Sequence, residues 1–244
     1  EFRNVSFAYN TTTILKEVSF TANPGTVTAL VGPSGAGKST IAMLAARFWD
    51  IQDGEILIGN VPIKEIPTSV LMDNIALVFQ DNMLFFDTIE ENIRMGNKTA
   101  TFEDVKRAAC AAQCHEFIEA LPDGYQTLVG EGGTYLSGGE MQRLALARAI
   151  LKDAPVILLD EATAFADPEN EGKILEAFSH LIKGKTVLVI AHRLGTITNA
   201  DHILYLDKGM ITEKGTHEEL LALHGAYAHM WKTYNRAKEW IIDR

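Results

Sequence analysis

The sequence has few cysteines, a shortage of basic side chains and no long apolar run. Lys and Arg total 22 against 32 Asp and Glu, which gives a formal net charge of −10 over 244 residues. A duplex-binding protein needs basic side chains to neutralise phosphates, so we expect no nucleic-acid partner. No apolar run approaches the roughly 18 residues that a membrane span requires. The first ten residues alternate like a strand rather than a signal peptide, and the missing initiator Met predicts a domain of a longer polypeptide.

The two cysteines do not form a recognisable metal pattern. Cys110 and Cys114 lie four positions apart in an Ala-rich stretch, next to His115. This spacing fits neither the usual zinc pattern nor haem attachment, and a fourth ligand is missing. We therefore expect two small apolar side chains on one buried helix face, in a reducing compartment.

Alternating apolar and polar residues predict β structure near the N-terminus. Turn residues such as Pro24-Gly25 and Gly59-Asn60 separate the segments. After Gly37 the apolar spacing becomes helical. The predicted strands and hairpins are Val5–Tyr9, Val18–Ala22, Thr26–Val31, Gly54–Ile63 and His202–Ile211.

Three short apolar runs predict central parallel strands, because they are rich in β-branched residues. They are Ile75–Phe79, Val156–Leu159 and Thr186–Ala191. Terminal helices follow, and Thr216 with Glu219 forms a T-x-x-E capping box ahead of an apolar run.

The element pattern also predicts a division of the chain. Residues 81–152 are rich in Ala, Glu and Leu and predict an inserted helical subdomain. Residues 1–80 and 153–244 predict an α/β core with a mainly parallel sheet and an N-terminal antiparallel β subdomain.

A glycine-rich loop lies between the strand Thr26–Val31 and the following helix. It matches the phosphate-binding pattern G-x-x-x-x-G-K-[ST], which predicts a P-loop NTPase. The loop alone does not separate kinases, GTPases and motor ATPases, and the fold expected for the whole chain is a RecA-like core. Backbone N–H groups and the positive end of the helix dipole would face the phosphates of a nucleotide. Lys38 would reach the β- and γ-phosphates, and the Ser39 hydroxyl would bind Mg²⁺. The predicted loop residues are Gly32, Pro33, Ser34, Gly35, Ala36, Gly37, Lys38, Ser39 and Thr40.

Two carboxylates end the apolar run that begins at Val156. Asp160 suits Mg²⁺ coordination, directly or through water. Glu161 would face the γ-phosphate and orient an attacking water. The alternative is that one of the two carboxylates only caps the following turn.

Polar residues follow several predicted strands of the core. Gln80 follows the strand at Ile75–Phe79, and His192 follows the strand at Thr186–Ala191. Ligands of open α/β sheets bind beyond the carboxyl ends of the strands, so we expect these side chains to converge with Gly32 and Asp160. An isolated histidine is more often a structural residue, but this position favours a functional one.

The residues Leu136-Ser137-Gly138-Gly139-Glu140 resemble the signature sequence of ABC-transporter ATPases. The resemblance covers essentially the whole chain and implies ATP and Mg²⁺ as ligands, with ATP hydrolysis as the activity. It implies that Tyr9 stacks on adenine, although a core strand aromatic is the alternative. The other implied roles are Gln80 as the Q-loop residue and a metal ligand, Glu161 as the catalytic glutamate, Asp167 as the D-loop aspartate and His192 as the switch histidine.

The signature has a physical rationale of its own. Ser137, Gly138 and Gly139 precede or begin a predicted helix, where a hydroxyl, bare N–H groups and the helix dipole favour an anion. Ser137 is also a good helix N-cap, and the two roles are compatible. The resemblance implies that two domains pair head to tail, identical or not, with each ATP between the phosphate loop of one and the signature of the other.

Two loops resemble the exporter-type subgroup of this family. They are Thr127–Gly133 and the stretch from Phe79 to Ile93. The sequence of Ala164–Asn170 resembles the corresponding segment of bacterial half-transporters linked to siderophores. Departures from the family pattern are Ala164-Phe165-Ala166 in place of Ser-Ala-Leu in the D-loop, Glu140 in place of Gln, and Gly195 in place of Ser.

The resemblance favours the ATP-driven motor of an exporter-type transporter, on the cytoplasmic side of the cell membrane and attached to transmembrane domains. Three alternatives remain at this stage. A non-transport ABC ATPase acting on nucleic acid or ribosomes usually carries basic arms or long insertions, which this acidic chain lacks. A small P-loop kinase would not need a signature helix. A module that has lost hydrolysis would not need Glu161 and His192.

Overall fold

The computed structural model describes residues 1–79, 83–160, 168–191 and 197–242. The chain divides into two compact units. The first unit contains Glu1–Asp73, Leu158–Asp160 and Thr186–Arg244, and the second contains Asn74–Ile157 and Glu161–Lys185. The boundary passes through one strand, which contributes residues to both units.

Strands and helices are numbered in chain order. The strands are β1 Phe2–Tyr9, β2 Thr12–Phe20, β3 Val27–Val31, β4 Asp53–Ile58, β5 Val61–Pro62, β6 Ile75–Val78, β7 Asp87–Thr88, β8 Leu128–Val129, β9 Val156–Asp160, β10 Thr186–Ile190, β11 His202–Asp207 and β12 Met210–Gly215. The helices are α1 Lys38–Ala45, α2 Thr68–Asn74, α3 Ile89–Arg94, α4 Phe102–Ala111, α5 His115–Glu119, α6 Gly138–Lys152, α7 Pro168–Ile182, α8 His217–Ala222 and α9 Ala226–Ile242.

The first unit contains the predicted antiparallel β subdomain. Its strand order is β2-β1-β4-β5, and the pairings β1–β2, β1–β4 and β4–β5 are antiparallel. Val5 and Phe7 of β1 are buried, as the alternation predicts. Strand β2 begins at Thr12 and ends at Phe20, so the predicted bounds Val18–Ala22 were wrong, and its buried residues Leu15 and Val18 do not alternate.

A parallel sheet forms the core of the first unit. Strand β3 lies between β10 and β11 and is parallel to both. Its residues Ala29, Leu30 and Val31 are fully buried. Strand β12 pairs antiparallel with β11, so the predicted C-terminal hairpin is present and extends to Gly215. The mainly parallel sheet that the sequence predicts is confirmed.

Helices dominate the second unit. The long helix α6 packs against α3, α4 and α7, and strand β6 lies against it as well. Strands β7 and β8 form a short antiparallel ribbon. Among the described strands, β6 neighbours only β9 and is an edge strand, so its prediction as a central strand was wrong. Its apolar residues are explained by burial beside α6.

One local prediction is confirmed and another is wrong. Thr216 caps α8, and its side chain and that of Glu219 bond each other's backbone N–H in the predicted capping box. The two cysteines do not share a buried face, because Cys114 is buried and Cys110 is exposed. Helix α4 ends at Ala111 and Gln113 takes a positive φ of 55°, so the helical spacing does not continue to Cys114.

None of the helices in the described ranges is long and apolar enough to cross a membrane.

Candidate nucleotide-binding site

The glycine-rich loop connects the buried strand β3 to helix α1, as the sequence predicts. Gly32 has φ 140°, and a Cβ at this position would overlap the carbonyl oxygen of Leu206 on β11. Only glycine therefore lets the chain leave β3 in this direction. Pro33, Ser34 and Gly35 are exposed at the tip of the loop, where a ligand can approach them.

The first turn of α1 offers its backbone N–H groups to a ligand. Its N-cap is Gly37, so no side chain caps the helix, and its first turn contains no acidic residue. Amides at a helix start need partners, and the helix dipole makes an anion the favoured one. Ala36 and Thr40 are buried, whereas Ser39 is half-buried, with its hydroxyl in the first turn.

Lys38 is held inside the loop. The residue is only 5% exposed. Its Nζ donates to the backbone oxygens of Gly32 and Pro33, each at 2.9 Å. The ammonium is thus fixed within the ring of loop amides, and the positive charge and the amides together suit a polyphosphate.

Tyr9 belongs to an aromatic cluster beside α1. Its ring is half-buried and makes edge contacts with Phe7 at 4.8 Å and with Trp49 at 5.3 Å between centroids. Its hydroxyl lies 3.7 Å from the sulfur of Met43 on α1. Trp49 is 51% exposed. A partly exposed aromatic surface at the side of the phosphate loop is suited to a base that stacks.

Asp160 is the last residue of β9 and is half-buried. In the sheet order, β10 alone separates β9 from β3. Ser39 and Asp160 both belong to the first unit. The Ser39 hydroxyl and the Asp160 carboxylate offer oxygen atoms, which are the ligands that Mg²⁺ prefers. Their chemistry fits a magnesium ion that takes its remaining ligands from water and phosphate.

The signature residues lie in the second unit, at the start of α6. Ser137 is the N-cap, with Gly138 and Gly139 as the first helical residues. The Ser137 hydroxyl accepts from the Glu140 backbone N–H at 3.3 Å and donates to the Glu140 carboxylate at 2.8 Å. The predicted N-cap is therefore present, and the chain has a second helix start, in addition to that of α1.

Four predicted site residues lie outside the described ranges: Gln80, Glu161, Asp167 and His192. The altered D-loop and Gly195 lie outside them as well.

Two contacts of the site are not evident from the motifs. Trp49 lies against Tyr9, and the only sequence signal is the aromatic pair Phe48-Trp49 after the first helix. The close approach of the Leu206 backbone to Gly32 depends on the parallel pairing of β11 with β3, which no local pattern predicts.

A phosphate loop between a buried parallel strand and an open helix start defines a P-loop nucleotide-binding protein. A family model described as ABC transporter matches residues 15–164. The chain belongs to the ABC transporter family, as its ATP-binding and ATP-hydrolysing domain.

The descriptions of known proteins similar to this chain name ATP binding or ATP dependence. The mycobactin import ATP-binding/permease protein IrtA of Mycobacterium tuberculosis is 51% identical over 233 residues, 95% of this chain and 27% of that protein. The ATP-dependent lipid A-core flippase of Desulfotalea psychrophila is 48% identical over 227 residues, 93% of this chain and 40% of that protein.

A solved structure of an ABC exporter is also similar to this chain. The structure of a bacterial Atm1-family ABC exporter with ATP bound matches with a TM-score of 0.90 and 45% identity, over 95% of this chain and 41% of that chain. The chain thus spans between about a quarter and two fifths of the relatives it matches. These relatives are transporters, so they do not support the alternative of an ABC ATPase acting on nucleic acid or ribosomes.

Proposed function

We propose that two such domains bind two ATP molecules at a shared interface and that ATP hydrolysis drives attached transmembrane domains from the cytoplasmic side of the membrane. The observation that carries this proposal is the presence of two helix starts suited to phosphate in one chain. Gly37 begins the first, in the phosphate loop, and Ser137 begins the second, in the signature. In a pair of domains, each triphosphate would contact the helix start at Gly37 of one domain and the helix start at Ser137 of the other.

ATP binding by a single domain would use the first unit alone. The loop amides from Gly32 onward and the Lys38 ammonium bind the β- and γ-phosphates. Tyr9 stacks on the adenine, supported from the side by Trp49 and Phe7.

Three residues would hold the metal ion. Ser39 and Asp160 supply oxygen ligands from the first unit, and Gln80 is the third proposed ligand. Mg²⁺ bound there would neutralise charge on the phosphates and so favour attack on the γ-phosphorus. The ion is not needed to position Lys38, which the carbonyl oxygens of Gly32 and Pro33 already hold.

Hydrolysis needs a water molecule aligned with the γ-phosphate. Glu161 is the proposed group that orients and polarises this water, and His192 is the proposed switch histidine. The water oxygen forms a bond to phosphorus as the bond to the β-phosphate oxygen breaks, giving ADP and inorganic phosphate.

The partner domain would complete each site. Ser137, Gly138 and Gly139 of the partner subunit contact the γ-phosphate, and Asp167 lies at the interface between the two domains. Hydrolysis removes the group that both domains share, so the interface opens after each turnover. The relatives' names join an ATP-binding part to a permease part, which supports attachment of this cycle to transmembrane domains.

Turnover as a function of protein concentration tests this proposal. Phosphate release by the purified chain should rise more steeply than linearly with chain concentration, because only the dimer is active. The Glu161→Gln variant should abolish turnover at every concentration. A turnover per chain that stays constant from dilute to concentrated protein, with a monomeric mass throughout, would contradict the shared site.

A further inference from the structure

The segment Met83–Thr88 is held by a network of hydrogen bonds within the second unit. The segment exposes three apolar side chains, with Met83 71%, Phe85 52% and Phe86 62% exposed. It has little apolar burial of its own, so its position depends on other interactions. The last two residues of the segment, Asp87 and Thr88, pair with β8. The other interactions come from one side chain on α3 and one on α6.

Asn92 is the centre of this network. Its side chain is 1% exposed. Its Oδ1 accepts from the Phe85 backbone N–H at 3.0 Å. Its Nδ2 donates to the backbone oxygens of Phe85 and Thr88, each at 3.0 Å, and to that of Asp87 at 3.4 Å. One buried amide thus bonds four backbone groups of the segment, with the two hydrogens of Nδ2 shared among three carbonyl oxygens.

Arg148 connects Asn92 to helix α6. Its Nε donates to the Asn92 backbone oxygen at 2.9 Å, and its Nη2 donates to the Asn92 Oδ1 at 3.2 Å. Its Nη1 lies 3.4 Å from the Met83 backbone oxygen. Burial lowers the pKa of this guanidinium below its ordinary value, which agrees with a group drawn out of solvent. The planar fork gives direction as well as attraction.

Helix α6 runs from this network to the signature. Arg148 lies near its C-terminal end and Ser137 caps its N-terminus, on one continuous helix from Gly138 to Lys152. A helix without a break transmits a displacement along its axis. None of the bonds around Asn92 and Arg148 contributes to the phosphate loop, which lies in the other unit.

We propose that Asn92 and Arg148 are positioning residues that fasten the exposed segment Met83–Thr88 to the helix that carries Ser137, so that the segment and the signature move together. This inference rests on the proposed role of Ser137 in the partner's ATP site. Neither Asn92 nor Arg148 belongs to the nucleotide-binding machinery, but both would help to position Ser137 toward the partner's ATP.

The experiment measures separately how Arg148→Gln affects nucleotide binding and how it affects the positioning of the signature. In Arg148→Gln, amide hydrogen exchange in a peptide covering Met83–Thr88 should become about tenfold faster, because the network opens. The Kd of the dilute monomer for a fluorescent ATP analogue should change less than about twofold. Turnover at saturating ATP should fall by about tenfold, a loss of kcat without a loss of affinity.

Three further variants protect the test against misfolding. Arg148→Lys keeps the charge and should recover part of the lost turnover. Asn92→Asp keeps Oδ1 for Phe85 and Arg148 but removes the donor to the Phe85 and Thr88 oxygens, so it should reproduce Arg148→Gln. Arg107→Gln, an exposed charge loss on α4, is the matched control and should behave as wild type.

Either of two results would overturn the inference: unchanged exchange in Met83–Thr88, or faster exchange with wild-type turnover. The Ser137→Arg variant distinguishes this from failure of the proposed function. If Ser137→Arg leaves turnover intact, the shared site is wrong, whatever Arg148→Gln does. If Ser137→Arg abolishes turnover and Arg148→Gln does not change it, only the positioning role is wrong.

Discussion

Ser137 and Glu140 cap each other at the start of α6. The Glu140 carboxylate accepts from both the backbone N–H and the hydroxyl of Ser137, each at 2.8 Å. Both donors belong to the helix start that we propose as the binding surface for the partner's γ-phosphate. A carboxylate therefore occupies the donors that an incoming phosphate needs, and ATP has to compete with it.

The Glu140→Gln substitution should strengthen ATP-driven dimerisation. Glutamine keeps the size and an acceptor oxygen but removes a negative charge near the phosphate. Unit charges 4 Å apart repel by about 1 kcal/mol in water, so the dimer Kd should fall at least about fivefold. Sedimentation of Glu140→Gln in the Glu161→Gln background measures this change. A weaker dimer would show instead that the carboxylate is needed to orient Ser137.

The Lys38→Ala substitution should abolish ATP binding in practice. It removes the buried ammonium that Gly32 and Pro33 hold inside the loop, and the phosphates lose their charged partner there. Isothermal titration with ATP measures the affinity. Lys98→Ala removes the same charge from an exposed position in the second unit and should bind normally. Unchanged affinity in Lys38→Ala would refute the assignment of the phosphate loop.

The Tyr9→Ala substitution should weaken ATP binding by about 1 kcal/mol or more, about fivefold in Kd, because the base loses its stacking partner. Tyr9→Phe is the matched control. It keeps the ring and loses only the hydroxyl beside Met43, so its affinity should stay near that of wild type. Fluorescence competition with ATP resolves the two. Wild-type affinity in Tyr9→Ala would return Tyr9 to the role of a core strand aromatic.

The Gly32→Ala substitution should destabilise the fold more than Gly35→Ala. Both glycines have positive φ values, 140° and 78°. A Cβ at Gly32 would collide with the Leu206 backbone, whereas one at Gly35 meets no atom within 4 Å. We expect a loss of about 3 kcal/mol or more in unfolding free energy at Gly32 and about 1 kcal/mol at Gly35. Urea denaturation measures both, and equal losses would contradict the packing of β11 against the loop.

Local patterns predicted much of the fold. The loop from Gly32 to Thr40, the caps at Ser137 and Thr216 and the parallel strands each depend on short-range chemistry, namely positive φ, side-chain caps and β-branched runs. The edge position of β6 was not predictable in this way. An edge strand that is buried beside a helix has the same apolar sequence pattern as a central strand.

Contacts between distant residues escaped the sequence patterns. The Trp49–Tyr9 contact joins residues 40 positions apart, and the Arg148–Asn92 bonds span 56 positions. Neither pair has a spacing that a helix or a strand would impose. The Cys110–Cys114 prediction failed for a related reason, since α4 ends between the two residues and the helical period stops there.

In the proposed dimer, each ATP joins two domains through the phosphate loop of one and Ser137 of the other. Light scattering after size exclusion, with and without ATP and Mg²⁺, tests it on Glu161→Gln and on Glu161→Gln combined with Ser137→Arg. We expect the single variant to be monomeric without nucleotide and dimeric with it, because blocked hydrolysis preserves the shared γ-phosphate. The double variant should bind ATP and stay monomeric, since the long side chain fills the partner's site. A double variant that still dimerises with ATP, or a single variant that stays monomeric at high concentration, would contradict the account.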